Sequence, residues 1–474
     1  MAERRIVIRN TRVISMDQEI GDIDEADILI VDEKIEAIAP SRGDSSLGDS
    51  SFGDFGDAEE IDGRGKAALP GFVDSHRHTW QAPVRGLAAD WTLGQYMTGL
   101  HLGLSGLFTP EDTYAGNLLG AVEAMNSGIT TMLDWSHNVN TPAHADAAIS
   151  GLFDSGLRAV FAHGGGADMY QVPSTVPHNQ DVRRIQAEYC SSDDQLVTLA
   201  MALRGPQFSN IDITVGDLAL ARELGLRSTM HAGDGEWGRS RPITKMRERG
   251  VLGPDIIYVH CNTLADDELQ DIADSGGSVS IAPDIELGMG HGWPATGRLT
   301  AIGIRPSLSI DTCTSNAGHM FGVMRTALAT QRGIDNQVPG ASDLPAVSLS
   351  SREVLGFATV EGARALALDH KVGSLTPGKQ ADIILVDVST VELSPLNNPI
   401  GQIVYGGHPG LVDTVIIAGT IVKSGGVLVG DIGERAVRLG VEARDRIFEA
   451  ARNIPSLPGA APGGQWQPAP LGAA

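Results

Sequence analysis

The stretch Leu69-Pro-Gly-Phe-Val-Asp-Ser-His-Arg-His78 decides the fold. Pro70-Gly71 is a turn that delivers a short apolar strand, Phe72-Val73, and two histidines follow it one residue apart. Side chains alternate faces along a strand, so positions i and i+2 point the same way. His76 and His78 can therefore aim two imidazoles at one point, and imidazole is a good ligand for Zn²⁺, Fe²⁺ and similar ions. Three later apolar runs also end in a ligand-type residue: Thr229-Met-His231, Ile257-Tyr-Val-His260 and Leu308-Ser-Ile-Asp311.

Around these ends, from Lys66 onward, strands and helices alternate. The strands are expected at 72–74, 129–134, 159–162, 197–202, 228–231, 256–260, 278–281 and 307–310. Helical spacing lies between them, for example over 111–127, 212–225 and 265–275. Eight strands alternating with helices predict a parallel (β/α)₈ barrel, a TIM barrel, whose active site lies at the C-terminal ends of the strands. The connection 79–109 is long and carries Trp80, Trp91 and Tyr96. It reads either as a lid or substrate wall, with Trp80 in contact with substrate, or as a helical insertion with its own packing.

Before the barrel, residues 5–9, 27–31 and 34–38 alternate as strands of a small sheet, interrupted by the Gly/Ser/Asp tract 43–57, which reads as a surface loop. After a helix over 351–368, strands return at 381–386, 412–418 and 419–423. A charged helix at 434–453 and a Pro/Gly/Ala-rich tail at 454–474 follow.

The motif Pro-Gly-Phe-Val-Asp-Ser-His-Arg-His78, the later His231, His260 and Asp311, and the phrase Gly373-Ser-Leu-Thr-Pro-Gly-Lys-Gln-Ala-Asp-Ile-Ile-Leu-Val386 resemble the amidohydrolase superfamily of metal-dependent hydrolases. Within it the chain is most similar to the group of chlorotriazine hydrolases and guanine, cytosine and adenosine-type deaminases. The resemblance implies a discontinuous β-sandwich beside the barrel. The expected domains are 1–65 (first part of the sandwich), 66–371 (barrel), 372–432 (second part of the sandwich) and 433–474 (C-terminal helix and tail).

It also implies a ligand set of His76, His78, His231 and Asp311 for one divalent transition metal per chain, Zn²⁺ first, with Fe²⁺ or another divalent ion as the alternative. Such an ion lowers the pKa of bound water toward neutrality. Asp311 would take the proton of the attacking water, and His260 would polarise the bond under attack. Relatives with two metals use a lysine at the end of the fourth strand. Here that end reads Leu199-Ala-Met-Ala-Leu-Arg-Gly-Pro206, and Lys245 is the only lysine between Lys66 and Lys371. One metal is therefore expected.

Two departures from the pattern stand out. Ring deaminases usually carry His-x-x-Glu after the fifth strand, where the Glu protonates the leaving nitrogen. This chain has His231-Ala-Gly-Asp234-Gly-Glu236. Asp234 has the spacing and Glu236 the length, and spacing favours Asp234. Arg204 stands where a substrate-contacting histidine is common. It is a fork-shaped donor that could bind a substrate carbonyl or carboxylate, or pair with an acid such as Asp234. His163 and His291 are further pocket candidates, and Ser315 and Asn316 are expected to orient Asp311.

The expected activity is cleavage of a C–N or comparable C–X bond in a small neutral, heterocyclic or xenobiotic-like molecule, first as an aminohydrolase or deaminase. Hydrolysis of an amide, carbamate, thiocarbamate or urea bond is the alternative. A non-catalytic assembly role is remote, because all four ligands are retained. The 35 Lys and Arg against 59 Asp and Glu, a net charge of −24, argue against nucleic acid or anionic membrane as partner. Three scattered cysteines make no disulfide framework. The N-terminus has no apolar core of a signal peptide, so a cytoplasmic enzyme is expected, as a homo-oligomer of two or more chains.

Overall fold

The computed structural model describes residues 3–41, 52, 58–167, 173–337, 340 and 346–452. Apart from Phe52, the tract 43–57 lies outside the described residues, as does the tail 454–474.

Eight parallel strands form one sheet in sequence order: Phe72–Arg77, Ile129–Ser136, Arg158–His163, Val197–Leu203, Ser228–Ala232, Ile256–His260, Ser278–Ile281 and Ser307–Leu308. Backbone bonds across the seam close it: Asp311 N–H donates to the His76 carbonyl at 3.0 Å and His78 N–H to the Asp311 carbonyl at 2.7 Å. The eighth strand is shorter than the expected 307–310 because the N–H of Ile310 leaves the ladder and donates to the Asp74 carboxylate at 3.0 Å. Inside the barrel, Val73, Leu133, Trp135, Val160, Ala200, Ala202 and Ile257 pack together, and Ala363 and Leu366 plug the bottom. Strand faces turned outward join the helices in a larger apolar core. This is the layered, filled interior of a barrel whose chemistry is confined to one end.

The terminal segments build one mixed nine-stranded sheet, with Ile383–Asp387 pairing antiparallel to Lys66–Pro70, which pairs in parallel with Arg5–Ile14. Ile28 and Ile30 from the first segment share a core with Ile383, Leu385 and Ile416 from the last, so the sheet curls until its two halves face each other. Each segment supplies only part of that core. The strand Lys66–Pro70 belongs to this sheet, and the barrel begins only after Gly71. A Cβ on Gly71 would lie 2.1 Å from Thr130 Oγ1, which is why glycine links the two sheets there.

The helix expected over 351–368 is two helices, Ser351–Phe357 and Val360–Ala365. The carbonyl of Ala358 between them accepts from Val73 N–H at 2.8 Å, which ties the break to the first barrel strand. The C-terminal helix Ile432–Arg452 lies along the helix Pro110–Asn126, with Arg446 Nε 2.8 Å from Asp112 Oδ1. Its Ile447 and Ala451 pack against the connection after the first strand. No described helix is long and apolar enough to cross a membrane.

Candidate active site

The two histidines of the first strand do not reach the site by simple alternation. Val73 faces the barrel interior, yet His76 and His78 also face inward. The pairing with the second strand shifts register between Asp74 and Arg77, and such an irregularity re-aims side chains. Arg77 is sent outward instead, where it donates to the carbonyls of Gly120 and Gly318, both at 3.0 Å, and meets Asp74 Oδ2 at 3.2 Å. Asp74 also holds the backbone of Ile310. The buried Arg77–Asp74 pair thus braces the first and eighth strands beneath the histidines.

Backbone conformation at the other strand ends is equally particular. His260, Cys261 and Asp311 have φ of 80°, 63° and 63°, a left-handed conformation that side chains rarely adopt. Outliers of this kind cost about 1–3 kcal/mol each and gather at functional sites.

His76, His78 and His231 bring one nitrogen each to within 4.8 Å of one another. Asp311 Oδ1 lies 3.3 Å from His78 Nε2 and 3.6 Å from His76 Nε2. His78 Nδ1 donates to the Trp135 carbonyl at 3.0 Å, which leaves Nε2 as the lone-pair nitrogen facing Asp311. Both nitrogens of His76 are buried with no hydrogen-bond partner among the described residues. Leaving buried imidazole nitrogens unmatched costs on the order of 1–3 kcal/mol apiece, so a cluster of them is built for something they can ligate. Three neutral imidazoles and one carboxylate converging on one point fit a divalent transition ion. Burial would raise the Asp311 carboxyl, but His76, His260 and His78 around it outweigh burial and hold it well below the usual carboxylate range.

His260 sits beside this set, its Nε2 3.7 Å from Asp311 Oδ2 and its Nδ1 3.1 Å from Glu286 Oε1. Burial opposes its charge, yet the bond to Glu286 and the carboxylates of Asp311 and Asp234 lift it to about 9. Glu286 Oε1 also accepts from Ala282 N–H at 2.8 Å, so it is fixed before it meets His260.

Asp234 is buried in the same cavity, and burial raises its carboxyl above the ordinary value. Gln207 Nε2 donates to Asp234 Oδ1, while Gln207 Oε1 accepts from Gly233 N–H at 2.8 Å. One carboxylate oxygen is thereby held by Gln207. Gly233 has φ 85°, and a Cβ there would lie 2.7 Å from Leu264 Cγ. That close turn is what swings Asp234 back over the cavity.

Glu236, two residues on, does not join the site. Its side chain is 87% exposed and pairs with Arg239 at 3.1 Å. A 3-10 turn over Gly235–Ser240 carries it out to solvent.

Arg204 lines the cavity, but two of its nitrogens donate to Ser174 Oγ and the Val176 carbonyl, holding the chain at 174–176. His291 lines the cavity with its ring 4.6 Å from His260, and burial, then His260, lowers it to about 3. His163 is buried away from the cavity lining and lies 3.1 Å from His178. Trp80 is also outside the lining, fully buried behind it. Asn316 donates to the Ile310 carbonyl at 3.3 Å, next to Asp311.

The cavity holds residues that sequence reasoning passed over, Trp135, His137 and His101, besides Tyr96, which it named only as part of the connection; Gln207 and Glu286, also passed over, meet Asp234 and His260. His137 carried the same signal as the chosen residues, a ligand-type side chain directly after a barrel strand. His101 and Tyr96 come from the connection after the first strand, which proves to be both things expected of it. It packs its own aromatic core with Trp80, Trp91 and Phe108, and it walls the cavity with Leu93, Tyr96, Met97 and His101.

The amidohydrolase family model matches residues 67–422. The 5'-deoxyadenosine deaminase of Methanothermobacter thermautotrophicus is 31% identical over 423 residues, covering 86% of this chain and 95% of that protein. The 5-methylthioadenosine/S-adenosylhomocysteine deaminase of Syntrophobacter fumaroxidans is 26% identical over 469 residues, 95% of this chain and 98% of that protein. Among solved structures, an adenosine deaminase from Xanthomonas campestris with bound zinc superposes with a TM-score of 0.80 at 22% identity, over 93% of this chain and 98% of that one. An atrazine chlorohydrolase from Arthrobacter aurescens, complexed with zinc, gives 0.78 at 22%, over 93% and 100%. At that identity the two structures speak for the fold.

Proposed function

The chain belongs to the amidohydrolase family, hydrolases acting on carbon–nitrogen bonds, and from that premise we propose that it is an aminohydrolase removing the exocyclic amino group of a small 6-aminopurine-like heterocycle. One observation carries this reading: a buried carboxyl, Asp234, clamped through one oxygen by Gln207, shares a cavity with the ligand cluster. Loss of an amine from a ring needs a proton delivered to nitrogen, and a raised carboxyl at the cavity wall is suited to give it.

His76, His78, His231 and Asp311 are the residues to hold the ion, and zinc is the ion favoured by the named neighbours. A divalent metal there supplies Lewis-acid activation of water at neutral pH. The chain's own residues do the rest. Asp311, the one carboxylate of the set, is the base that receives the water's proton. His260, held through Nδ1 by Glu286, turns Nε2 to the reacting centre and stabilises negative charge as it develops there. Asp234 hands its proton to the departing nitrogen. The apolar wall of Leu93, Met97, Phe208, Ile285 and Met289 holds a flat ring and excludes competing water.

The sequence-level expectation of a cytoplasmic homo-oligomer stays part of this proposal, and light scattering of the purified protein tests the second half of it. The central experiment is ammonia release from 5'-deoxyadenosine, methylthioadenosine, S-adenosylhomocysteine and an alkylamino-triazine by the zinc-loaded enzyme. Ammonia from a purine supports the reading. Release of an alkylamine only, or no hydrolysis of any of the four, counts against it.

A further inference from the structure

An aspartate carboxyl stands on a single methylene, so it reaches only as far as its backbone carries it. Asp234 stands between Gly233 and Gly235, whose φ values are 85° and 52°. A Gly-Asp-Gly turn has wide conformational freedom unless other groups hold it. Gln207 Oε1 accepts from Gly233 N–H and the His291 carbonyl from Gly235 N–H, both at 2.8 Å. The carbonyls of the same two glycines meet at one side chain, Thr263, in the loop after the sixth strand. Thr263 Oγ1 lies 2.9 Å from the Gly233 carbonyl oxygen and 2.8 Å from that of Gly235, and Thr263 N–H donates to Gly233 at 2.7 Å. A hydroxyl has one proton, which the two carbonyls share, so both are drawn to a single point. Gly238 lets the 3-10 turn close over that hydroxyl, since a Cβ there would lie 2.2 Å from Thr263 Oγ1 and 2.4 Å from Gly233 Cα. Asp234 lines the cavity and Thr263 does not, so Thr263 meets the chemistry through the turn that carries Asp234.

We propose that Thr263 is a positioning residue, whose hydroxyl bridges the carbonyls on either side of Asp234 and holds its carboxyl where a proton can pass to the leaving group. The proposal rests on the aminohydrolase reading for the role of Asp234. It goes beyond that reading in assigning the placement of the proton donor to a residue from a neighbouring strand end. The N–H of Thr263 does not suffice, because it meets the Gly233 carbonyl alone, on one side of Asp234. A reacting group misplaced by about 1 Å costs on the order of 10²-fold in rate. The loss should also depend on the leaving group. A departing amine must be protonated and chloride need not be, so the hydroxyl of Thr263 matters for the first far more than for the second.

The test uses the zinc-loaded enzyme with 5'-deoxyadenosine and its 6-chloropurine counterpart. Thr263→Val keeps the branched shape and lacks the hydroxyl. It should lower kcat for ammonia release by roughly 10–100-fold, with KM changed by less than about threefold and chloride release lowered far less. Thr263→Ala, measured in parallel, should behave in the same way, and Thr263→Ser, which restores a hydroxyl, should recover most of the loss. In an Asp234→Asn background, Thr263→Val should cost no more than about a further twofold, because a residue that acts through another adds nothing once that other is gone. Equal losses on both substrates, a loss that multiplies in full with that of Asp234→Asn, or a kcat within about twofold of wild type each overturn the proposal. A crystal structure of Thr263→Val decides the placement whatever the substrate. The Asp234 carboxylate should move by more than about 0.5 Å, the tolerance of a working site, and an unmoved carboxylate overturns the proposal. If the wild type releases no ammonia from any purine, the aminohydrolase reading fails; that structure, and the double-variant comparison on whichever compound is hydrolysed, still decide Thr263.

Discussion

The two ends of the barrel are built on opposite principles. At the bottom, Val73, Leu133, Ala363 and Leu366 fill the interior with apolar atoms that ask nothing of their neighbours. At the mouth, imidazoles crowd ring against ring, both nitrogens of His76 and of His291 lack partners among the described residues, and three non-glycine residues adopt left-handed backbone. The first arrangement gains from every contact. The second is costly in the absence of a ligand and is tolerated because the rest of the barrel over-determines it. The difference teaches where stability and activity are separately stored, and it can be tested by exchanging residues at each end.

Removing a ligand should produce the largest effect. His231→Ala is expected to lose the metal and reduce turnover to background, with no loss of thermal stability for the metal-free protein, since it deletes a buried polar ring from an unfavourable cluster. Elemental analysis of active wild type should give about one transition ion per chain. Two ions per chain, both needed for rate, would show that the four-residue set is incomplete.

Next comes Asp234→Asn, which keeps shape and polarity but cannot deliver a proton. It should retain metal and lower kcat by roughly 10²–10⁴-fold, the usual worth of general acid–base help. Glu236→Gln should stay near wild type, because that side chain is in solvent and paired with Arg239. The reverse pattern in steady-state kinetics would reassign the proton donor.

Glu286→Gln is an intermediate case. It keeps a partner for His260 Nδ1 but removes the charge that supports its proton, and a charge-assisted bond of about 1.5–3 kcal/mol corresponds to roughly 10–100-fold in rate. Because Glu286 raises the pKa of His260, any limb of the pH–rate profile that reports loss of the His260 proton should move to lower pH in this variant. A profile that stays put would remove His260 from the charged role.

At the other end, Leu133→Ala should leave kcat per folded molecule nearly unchanged while costing about 2–5 kcal/mol of stability through the cavity it opens. Denaturant melts with parallel activity assays separate the two effects. A drop in kcat without a drop in stability would mean that the plug and the mouth are mechanically coupled, and the contrast drawn above would fail.

Much of this molecule was legible in the chain. All eight barrel strands begin within about a residue of where apolar runs and turn residues put them, because strand period and turn chemistry are local properties. The ligand-type residues at the strand ends were legible for the same reason, as each ends an apolar run, whereas their grouping as one ligand set came from the family resemblance. What escaped is non-local. Gln207 and Glu286 carry no motif, and they matter only because folding sets one against Asp234 and the other against His260. Glu236 stood second to Asp234 on spacing, and one extra glycine-led turn separates the buried acid from the exposed one. Trp80 was expected to touch substrate, but packing sets it behind the cavity wall, against His137.

The sequence by itself determined the alternation of strands and helices, the barrel they make, and which residue types stand at its strand ends, since these follow from periodicity and spacing along one chain. Only the tertiary structure decided which of those residues share a cavity, which nitrogen of His78 faces Asp311, and which of the two acids is buried. Those properties depend on distances across the barrel and on exclusion of water, and neither is written in any single stretch of chain.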